Sequence, residues 1–360
     1  MFDFPPNQFV PLDAFMAQCN AHYYGASEAI GGAGDFITAP EISQMFGELI
    51  GAWAVARWQT LGRPAPFQLI ELGPGKGTLM SDVMRVMRQN PDCYRAVEIH
   101  LVETSPKLRA AQGEMLAKFS PPVSWHDDIR EIPSAPFILL ANEFFDALAI
   151  RQFVFTATGW HERGVTFDGK KFAWASREIA GTELPQAARH LPPPVPGNMI
   201  EICPALPEIL ETIRTRFILH AGAALIIDYG YAATDYGDTF QALRAHEYAD
   251  PLEYPGEQDL TAHVNFSVIE NFAKEQIDAH VLQTSGPLGQ GEFLMNLGLQ
   301  LRGEKIIAGA AEPAEKLEII EAAHRLTHPA EMGTLFKVMC LSSPHLPEPE
   351  GFHASQRRPD

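Results

Sequence analysis

The chain of 360 residues has few cysteines and no long apolar segment. Its four cysteines, Cys19, Cys93, Cys203 and Cys340, are scattered and never form a C-x-x-C pair. This pattern argues against a structural zinc site and against a disulfide framework, so no metal is predicted. The apolar runs fall short of the roughly 18 residues that a membrane-spanning helix needs, and membrane insertion is therefore not expected.

Positive charge is also scarce, because 27 Lys and Arg residues stand against 45 Asp and Glu residues, which gives a net charge of −18. Nucleic acid is not expected as a partner, since phosphate contacts require clustered basic side chains. A cationic ligand or a basic protein segment suits this charge better. The N-terminal sequence lacks the basic start and apolar run of a secretory signal, and it is not Arg-rich like an organelle transit peptide. The sequence therefore predicts a cytoplasmic protein.

What the sequence does contain is an alternation of strand and helix patterns. Apolar runs and helical spacing follow one another in the order 67–72, 78–89, 98–103, 106–118, 122–125 and 137–141. Such alternation predicts an α/β protein with a parallel, doubly wound, Rossmann-like sheet. Ligands of such a sheet bind at the carboxyl ends of its strands.

The patterns along the whole chain predict five parts. They are a helical N-terminal preface or lid at 1–60, a Rossmann-like core at 61–150 that binds the cofactor, an inserted β-rich subdomain at 151–220, the remainder of the core sheet with substrate-side insertions at 221–343, and a disordered tail at 344–360. Helical spacing at 11–24 and 41–61 supports the preface. The pair Asp168-Gly169 predicts a hairpin within the inserted subdomain.

The strongest local signal is the stretch at 67–79, in which an apolar strand runs through Glu71 into three glycines at alternating positions. Gly73, Gly75 and Gly77 can adopt positive φ and expose bare backbone. A ligand can therefore approach both the end of the strand and the positive end of the helix that follows.

Three kinds of nucleotide site compete for this loop, and spacing separates them. A P-loop requires Gly-Lys followed by Ser or Thr, whereas Lys76 is followed by Gly77. A dinucleotide fingerprint requires a glycine at the position of Thr78, which disfavours NAD. The observed Glu-x-Gly-x-Gly-x-Gly matches the first motif of Rossmann-like methyltransferases, in which a carboxylate such as Glu71 helps to hold the cationic amino-acid end of S-adenosylmethionine (SAM). A tight turn without a ligand is the alternative.

Acidic side chains after the next two strands supply further contacts that a SAM site needs. Glu103 ends the second strand, where a carboxylate can accept both hydroxyl hydrogen bonds of a ribose; an exposed strand-end acid is the alternative. Asp127 or Asp128 follows the third strand and could bind the exocyclic amine of adenine, or could cap a helix or turn. Both strand ends are thus assigned to the cofactor.

The fourth strand ends in a polar cluster, in which Glu143 and Asp146 lie three residues apart beside Asn142. Such a cluster next to an apolar run costs stability unless its groups have partners, which favours a catalytic role for these residues. If the methyl acceptor is a guanidinium, the carboxylate pair could hold it by bidentate hydrogen bonds.

Three further residues are predicted on the substrate side. Asp35 and Glu41 lie in the preface and could cover the SAM pocket as a lid, although a glycine-rich loop with an acidic tip is also simply a turn. His263 lies among polar groups and could act as a base or contact the substrate, or could be a structural residue.

Six motifs, taken in order, resemble the MidA family of SAM-dependent methyltransferases. They are Gly34-Asp-Phe-Ile-Thr-Ala-Pro-Glu-Ile-Ser43 with Phe46-Gly-Glu48, the loop at 71–77, Asn142-Glu-Phe-Phe-Asp-Ala-Leu148, Asp228-Tyr-Gly230, Asp259-Leu-Thr-Ala-His-Val264 and Gly286-Pro-Leu-Gly-Gln-Gly-Glu-Phe-Leu294. The resemblance covers about residues 20–340. It implies SAM as the cofactor, symmetric dimethylation of arginine in a protein substrate, and a link to respiratory complex I assembly, with a complex I subunit as the partner.

The first hypothesis is therefore a SAM-dependent protein arginine methyltransferase. A small-molecule methyltransferase would use the same site behind a narrower entrance. A non-catalytic SAM-binding assembly or chaperone protein is an alternative of another class, and an NAD-dependent dehydrogenase comes last because of the glycine spacing. The sequence leaves open whether the chain forms a homodimer.

Overall fold

The computed structural model describes residues 4–26, 38–180, 191–245, 247–274 and 281–353. The strands of these residues are β1 (Val10–Pro11), β2 (Phe67–Leu72), β3 (Val97–Val102), β4 (Val123–His126), β5 (Phe137–Asn142), β6 (Arg151–Thr156), β7 (Gly159–Phe167), β8 (Phe172–Glu178), β9 (Met199–Ile202), β10 (Gly222–Tyr231), β11 (Gln241–Arg244), β12 (Glu247–Ala249), β13 (Asp259–Thr261), β14 (Val264–Asn265), β15 (Gln283–Gly289) and β16 (Phe336–Ser342).

The helices of the described residues are α1 (Leu12–Ala26), α2 (Ala39–Ile42), α3 (Gln44–Thr60), α4 (Thr78–Met87), α5 (Pro91–Ala96), α6 (Pro106–Leu116), α7 (Leu206–Leu219), α8 (Phe266–Lys274), α9 (Gln290–Asn296), α10 (Leu299–Gly309), α11 (Pro313–Thr327) and α12 (Met332–Leu335). A short 3₁₀ helix covers Ile129–Glu131. In the part of the chain that the structure describes, no helix has both the length and the apolar content that a bilayer span requires.

The chain divides into two compact units. The β-rich unit holds the described residues of Met1–Phe36, Phe145–Ile209 and Tyr231–Val268, and the sheet unit holds those of Ile37–Phe144, Leu210–Gly230 and Ile269–Asp360. These bounds differ from those that the sequence predicted. The preface is divided between the units, because α3 packs against α4 of the sheet unit, and the irregular stretch at 231–268 belongs to the β-rich unit.

The sheet unit is built on strands in the order β15-β16-β10-β5-β2-β3-β4. The five strands from β10 to β4 run parallel, which agrees with the predicted Rossmann-like α/β fold. β16 and β15 pair antiparallel at one edge, so the sheet is mixed and not wholly parallel. An antiparallel edge on an otherwise parallel sheet is common in doubly wound proteins.

The register of the parallel strands determines which loops meet. Leu72 at the end of β2 pairs with Val102 of β3 and with Ala141 of β5. Because parallel strands end at one edge, Gly73 and Glu103 emerge there together. The strand order also reverses between β2 and β5, and this switch point is where doubly wound sheets bind ligands.

The predicted helix at 41–61 is two helices in the structure. Ser43 interrupts it with an extended backbone, φ −157° and ψ 131°, and its side chain accepts a hydrogen bond from the Met45 amide at 3.1 Å. Serine is a preferred N-cap because its hydroxyl satisfies one of the first backbone N–H groups of a helix. The short helix α2 is thereby separated from α3.

The β-rich unit contains two small antiparallel sheets. The first has the order β1-β7-β6-β9, with β8 paired to β7, and the second has the order β12-β11-β13. The predicted hairpin at Asp168-Gly169 joins β7 to β8, although its loop is longer than two residues because pairing ends at Phe167 and Phe172. The core of this unit includes the buried side chains of α1, such as Leu12, Phe15 and Met16.

The prediction of a disordered tail from residue 344 is wrong for residues 344–353. Phe352 is buried and its ring centroid lies 5.1 Å from that of Phe293, while Glu350 forms an ion pair with the buried Arg57. Asn296 also donates a hydrogen bond to the Gly351 carbonyl at 3.0 Å. The position at the end of the chain suggested disorder, but the buried Phe352 and the ion pair of Glu350 hold the segment in place. Residues 354–360 lie outside the described residues.

Replacing this anchor tests the packing of the segment. We expect Phe352→Ala to lower the free energy of unfolding by about 3 kcal/mol, because truncating a buried aromatic side chain leaves a cavity. Leu317→Ala, at a side chain that is 55% exposed, serves as the control and should change it by less than about 0.5 kcal/mol. Urea denaturation of both variants measures the difference, and equal stabilities would contradict the packing role of Phe352.

Candidate functional site

The glycine loop follows β2 and begins α4 at the carboxyl edge of the sheet. Gly73, Gly75 and Gly77 have φ values of +61°, +52° and +85°. Only glycine adopts such angles without strain. A Cβ atom on Gly73 would lie 2.9 Å from Cδ2 of Phe144, so the loop also requires glycine for close packing. Gly77 is the N-cap residue of α4 and has no side chain to cap the helix, which leaves backbone N–H groups for a ligand.

Glu71 is buried at the end of β2, where only 3% of its surface is exposed. Burial raises the pKa of its carboxyl to about 8. Its Oε2 atom has no hydrogen-bond partner among the described residues. A buried carboxylate of this kind is costly unless a cation is added, and the ammonium group of an amino acid is such a cation. The residue therefore fits the amino-acid end of SAM.

The raised pKa of Glu71 predicts a pH dependence of the free protein. An acid whose pKa is higher in the folded chain contributes stability that is complete below its unfolded value of 4.5 and is lost as the pH rises through about 8. Without cofactor, Glu71→Gln should therefore gain stability relative to the wild type between those pH values, by up to about 5 kcal/mol.

Urea denaturation across this pH range measures that gain. Glu315→Gln, which removes an exposed carboxylate of α11, is the matched control and should follow the wild type at every pH. A Glu71→Gln curve parallel to the wild-type curve would contradict the burial of an acidic proton at this position.

Glu103 and Gln112 lie beside the glycine loop at the same edge of the sheet. Burial raises the pKa of Glu103, whose Oε1 accepts the Ser105 amide at 2.8 Å and whose Oε2 accepts Gln112 Nε2 at 3.4 Å. Gln112 also donates to the Gly75 carbonyl at 2.7 Å and accepts from Trp125 Nε1 at 2.8 Å. Sequence reasoning missed Gln112, whose one signal was a polar residue on the buried face of α6.

The two candidates for the adenine contact differ in their surroundings. Asp128 begins the 3₁₀ helix, where Oδ1 accepts the Arg130 amide at 2.8 Å and Oδ2 pairs with the Arg130 guanidinium at 2.6 Å. The hydrogen bond from Arg130 lowers the pKa of Asp128. Asp128 therefore has the capping role that the sequence left open. Asp127 is exposed and forms an ion pair with Arg109 at 2.6 Å. Because Asp128 is engaged as a cap, Asp127 stays the candidate for the adenine contact.

Glu143 follows β5 in a backbone conformation that is rare for a residue with a side chain, with φ +50°. Its Oε1 accepts hydrogen bonds from the Ala39 amide at 2.9 Å and from Asn142 Nδ2 at 3.1 Å. Its own amide donates to the Ile227 carbonyl at 2.8 Å. Strained backbone that the surroundings hold in place is typical of functional positions. The structure thus joins Glu143 and Asn142, as the sequence predicted.

The segment around α2 contacts both sides of this edge. Glu41 accepts a hydrogen bond from the hydroxyl of Thr78, the first residue of α4, and Ala39 donates to Glu143. This places Glu41 beside the glycine loop, and its role in covering the SAM pocket stays a prediction. Asp35, its predicted companion, lies outside the described residues.

Asp146 belongs to the β-rich unit, where it is 5% exposed. Burial, Asp259 and Asp146 raise the pKa of Tyr24 well above its ordinary value, and the Tyr24 hydroxyl donates to Asp259 Oδ1 at 2.7 Å. Asn20 holds this region together through the Ala147 carbonyl at 3.0 Å. Asp146 therefore lies in an acidic cluster with a tyrosine, which the sequence had not linked to it. Its catalytic role stays a prediction.

His263 also lies in the β-rich unit. Its backbone amide donates to Thr239 Oγ1 at 2.9 Å, and the Thr239 hydroxyl donates to Glu201. Gln152 donates to the same carboxylate at 2.7 Å. The backbone of His263 is thus part of a structural hydrogen-bond network, and the predicted role of its ring in substrate contact stays a prediction.

Comparison with known proteins agrees with this geometry. A family model for S-adenosyl-L-methionine-dependent methyltransferases matches residues 49–285. Protein arginine methyltransferase NDUFAF7, mitochondrial, is 36% identical in Danio rerio, over 88% of this chain and 78% of the relative. The Homo sapiens protein of that name is 34% identical over 89% of this chain and 76% of its own.

A solved structure is similar over nearly the whole chain. It is a COG1565 superfamily member from Burkholderia thailandensis bound to S-adenosyl-homocysteine (SAH), with a TM-score of 0.79 and 27% identity. The similarity covers 96% of this chain and 91% of that protein. The cofactor assigned from the glycine spacing is therefore correct, and the fold is that of the SAM-dependent methyltransferases.

The prediction of a cytoplasmic location is contradicted by the same relatives, whose names place them in mitochondria. That prediction depended on the composition of the first residues, which lack Arg-rich character. The prediction is withdrawn.

The matched region holds the glycine loop, Glu103 and Glu143, and the similarity to the Danio rerio NDUFAF7 protein covers 88% of this chain. The chain therefore belongs to this family of S-adenosyl-L-methionine-dependent methyltransferases.

Proposed function

We propose that this enzyme transfers the methyl group of SAM to an arginine guanidinium of a protein. The observation that supports it most is the similarity, at 34–36% identity over about nine tenths of the chain, to proteins named protein arginine methyltransferase. The acidic surroundings of the carboxyl edge agree with a cationic acceptor.

When bound, SAM would supply an electrophilic methyl on a sulfonium: the S–C bond breaks as the C–N bond forms, SAH is the leaving group, and the proton of the attacking nitrogen is released to solvent. Glu71 holds the ammonium of the cofactor, because its buried Oε2 requires a cationic partner. Glu103 would accept hydrogen bonds from the ribose hydroxyls, and Asp127 would accept a hydrogen bond from the adenine amine. The loop at 73–77 lets the ligand approach the backbone at van der Waals distance.

Glu143 binds the acceptor in this proposal. A guanidinium stays protonated at neutral pH, so a carboxylate beside it draws positive charge towards the bound N–H groups and away from the attacking nitrogen. The two hydrogen bonds from Ala39 and Asn142 hold Oε1 in one position, which directs the other oxygen to the acceptor. Alignment of this kind supplies most of the rate in an in-line displacement.

A narrower proposal rests on the family resemblance alone. The acceptor arginine would belong to a subunit of respiratory complex I and would be dimethylated symmetrically. The oligomeric state, which the sequence leaves open, is measured by light scattering on the purified protein.

Calorimetry and a transfer assay test the proposal together. Purified protein is titrated with SAM, SAH and NAD, and we expect the first two to bind and NAD not to bind. Incubation with methyl-labelled SAM and arginine-containing or matched lysine-containing peptides should label only the former. Binding of NAD alone would overturn the cofactor site. Transfer to a small molecule with none to either peptide would favour the small-molecule alternative.

A further inference from the structure

Gln112 is fully buried in α6, and its side-chain amide reaches three parts of the cofactor edge. An indole N–H can only donate, so the Gln112 atom that faces Trp125 Nε1 at 2.8 Å must be the oxygen. The nitrogen then faces the Gly75 carbonyl at 2.7 Å and Glu103 Oε2 at 3.4 Å, both of which are acceptors. The partners on each side thus fix the same amide orientation.

Each polar hydrogen of this amide has an acceptor. One N–H of Gln112 bonds to the glycine loop after β2, and the other points to the carboxylate after β3. The oxygen accepts from β4, and a Cβ atom on Gly77 would lie 3.4 Å from Gln112 Cγ. A buried amide with satisfied donors is rigid, because every alternative orientation leaves a donor without an acceptor.

We infer that Gln112 is a positioning residue for the cofactor: it connects the glycine loop to Glu103 and sets the distance between the backbone that meets the ligand and the carboxylate that binds its ribose. This inference rests on the proposed cofactor site and extends it to a residue that contacts no ligand itself. It acts through the Gly75 carbonyl and the orientation of Glu103.

The charge state of Glu103 depends on the same amide. Burial favours the protonated acid, whereas the Ser105 amide, the Gln112 amide and the Thr104 amide favour the carboxylate, in that order. The nearby cation is Arg109, whose Nε donates to the Glu103 carbonyl at 2.6 Å and whose guanidinium is shared with Asp127. A protonated Glu103 could accept fewer ribose hydrogen bonds.

Two replacements of Gln112 should therefore weaken SAH binding with opposite pH dependences. Gln112→Leu removes a hydrogen-bond donor from Glu103, which raises the pKa of Glu103 further. More of the Glu103 carboxyl is then protonated at pH 6 than at pH 8, so the loss of SAH affinity should be larger at pH 6. Gln112→Glu sets a second carboxyl against Glu103, so its loss of affinity should be larger at pH 8, where the two carboxyls carry more negative charge than at pH 6. At neutral pH each should raise the Kd for SAH about tenfold.

Calorimetric titration with SAH at both pH values measures these ratios, each taken against the wild type to cancel the titration of other groups. Gln290→Glu is the matched control, since Gln290 is equally buried in the same unit and donates to the Leu326 carbonyl at 3.0 Å. Trp125→Phe is a milder third variant, because it removes only the donor to the Gln112 oxygen.

The inference is supported if the two Gln112 variants lose affinity with opposite pH trends while Gln290→Glu binds SAH like the wild type. Two results would overturn the inference: losses of SAH affinity that are equal at both pH values, or an equal loss of affinity in Gln290→Glu. Either would show that the buried amide matters only for folding. If the wild type does not bind SAH, the proposed cofactor site itself is overturned. If the wild type binds SAH and the Gln112 variants bind it equally well, only the positioning role of Gln112 is overturned.

Discussion

Glu143→Gln is expected to reduce methyl transfer by about a thousandfold while SAH binds almost as tightly as to the wild type. Glutamine keeps an oxygen that can accept the hydrogen bonds from Ala39 and Asn142, so the loop after β5 should keep its shape. What is lost is the negative charge beside the acceptor guanidinium. Because the charge acts on the acceptor and not on the cofactor, turnover should fall without a matching change in the Kd for SAH.

Single-turnover transfer to an arginine peptide, together with SAH calorimetry, measures both quantities. Glu98→Gln is the matched control, because Glu98 is a half-buried carboxylate on β3 of the same sheet. It pairs in register with Gln68, near the amino ends of the strands and away from the candidate site. It should keep both activities. Retained turnover in Glu143→Gln would remove this residue from the acceptor site.

Gly75→Val is expected to weaken SAH binding by more than about a hundredfold. The backbone of Gly75 has φ +52°, a conformation that a β-branched residue adopts only with strain. The added side chain would also occupy the space in which the cofactor approaches the loop. Relaxing the strain would move the Gly75 carbonyl away from Gln112 and so disturb Glu103 as well.

Gly298→Val separates the loss of the site from backbone strain in general. Gly298 has φ +95°, lies in the same unit, and has open space around the position of a Cβ atom. This variant should lose stability, as measured by urea denaturation, but should bind SAH normally. If Gly75→Val and Gly298→Val bound SAH equally well, the loop at 73–77 would not be the cofactor site.

The sequence predicted the sheet unit well because its strands are buried on both faces. β2 is Phe67–Leu72, the predicted range, and all six of its residues are buried, so the apolar run is continuous and ends abruptly at Gly73. Local pattern is decisive there. The order of the parallel strands then places the ends of β2 and β3 side by side, which is why Glu71, Gly73 and Glu103 could be assigned to one edge.

Other features depended on contacts that no local pattern encodes. Gln112 lies 37 residues from Gly75 and 13 from Trp125, so its three hydrogen bonds are visible only in the folded chain. The short strands β11–β14 lack periodicity because they are only two to four residues long. Tyr24 likewise meets Asp259 across 235 residues.

The two carboxylates after β5 show the same limit. Spacing suggested that Glu143 and Asp146 act as a pair. The structure gives each its own surroundings, with Glu143 bound by Ala39 and Asn142 and Asp146 near Tyr24. Close spacing in sequence therefore identified the half-buried Glu143 and the buried Asp146 but not the groups that surround them.

The central claim is that this chain methylates arginine in a protein, and quantitative mass spectrometry of methylarginine tests it most directly. Three cell lines would be compared: cells without the gene, the same cells complemented with the wild type, and the same cells complemented with Glu143→Gln. We predict that methylation of specific arginine sites returns with the wild type and stays absent with the variant at equal protein levels. Methylarginine that is identical in all three cell lines would contradict the account.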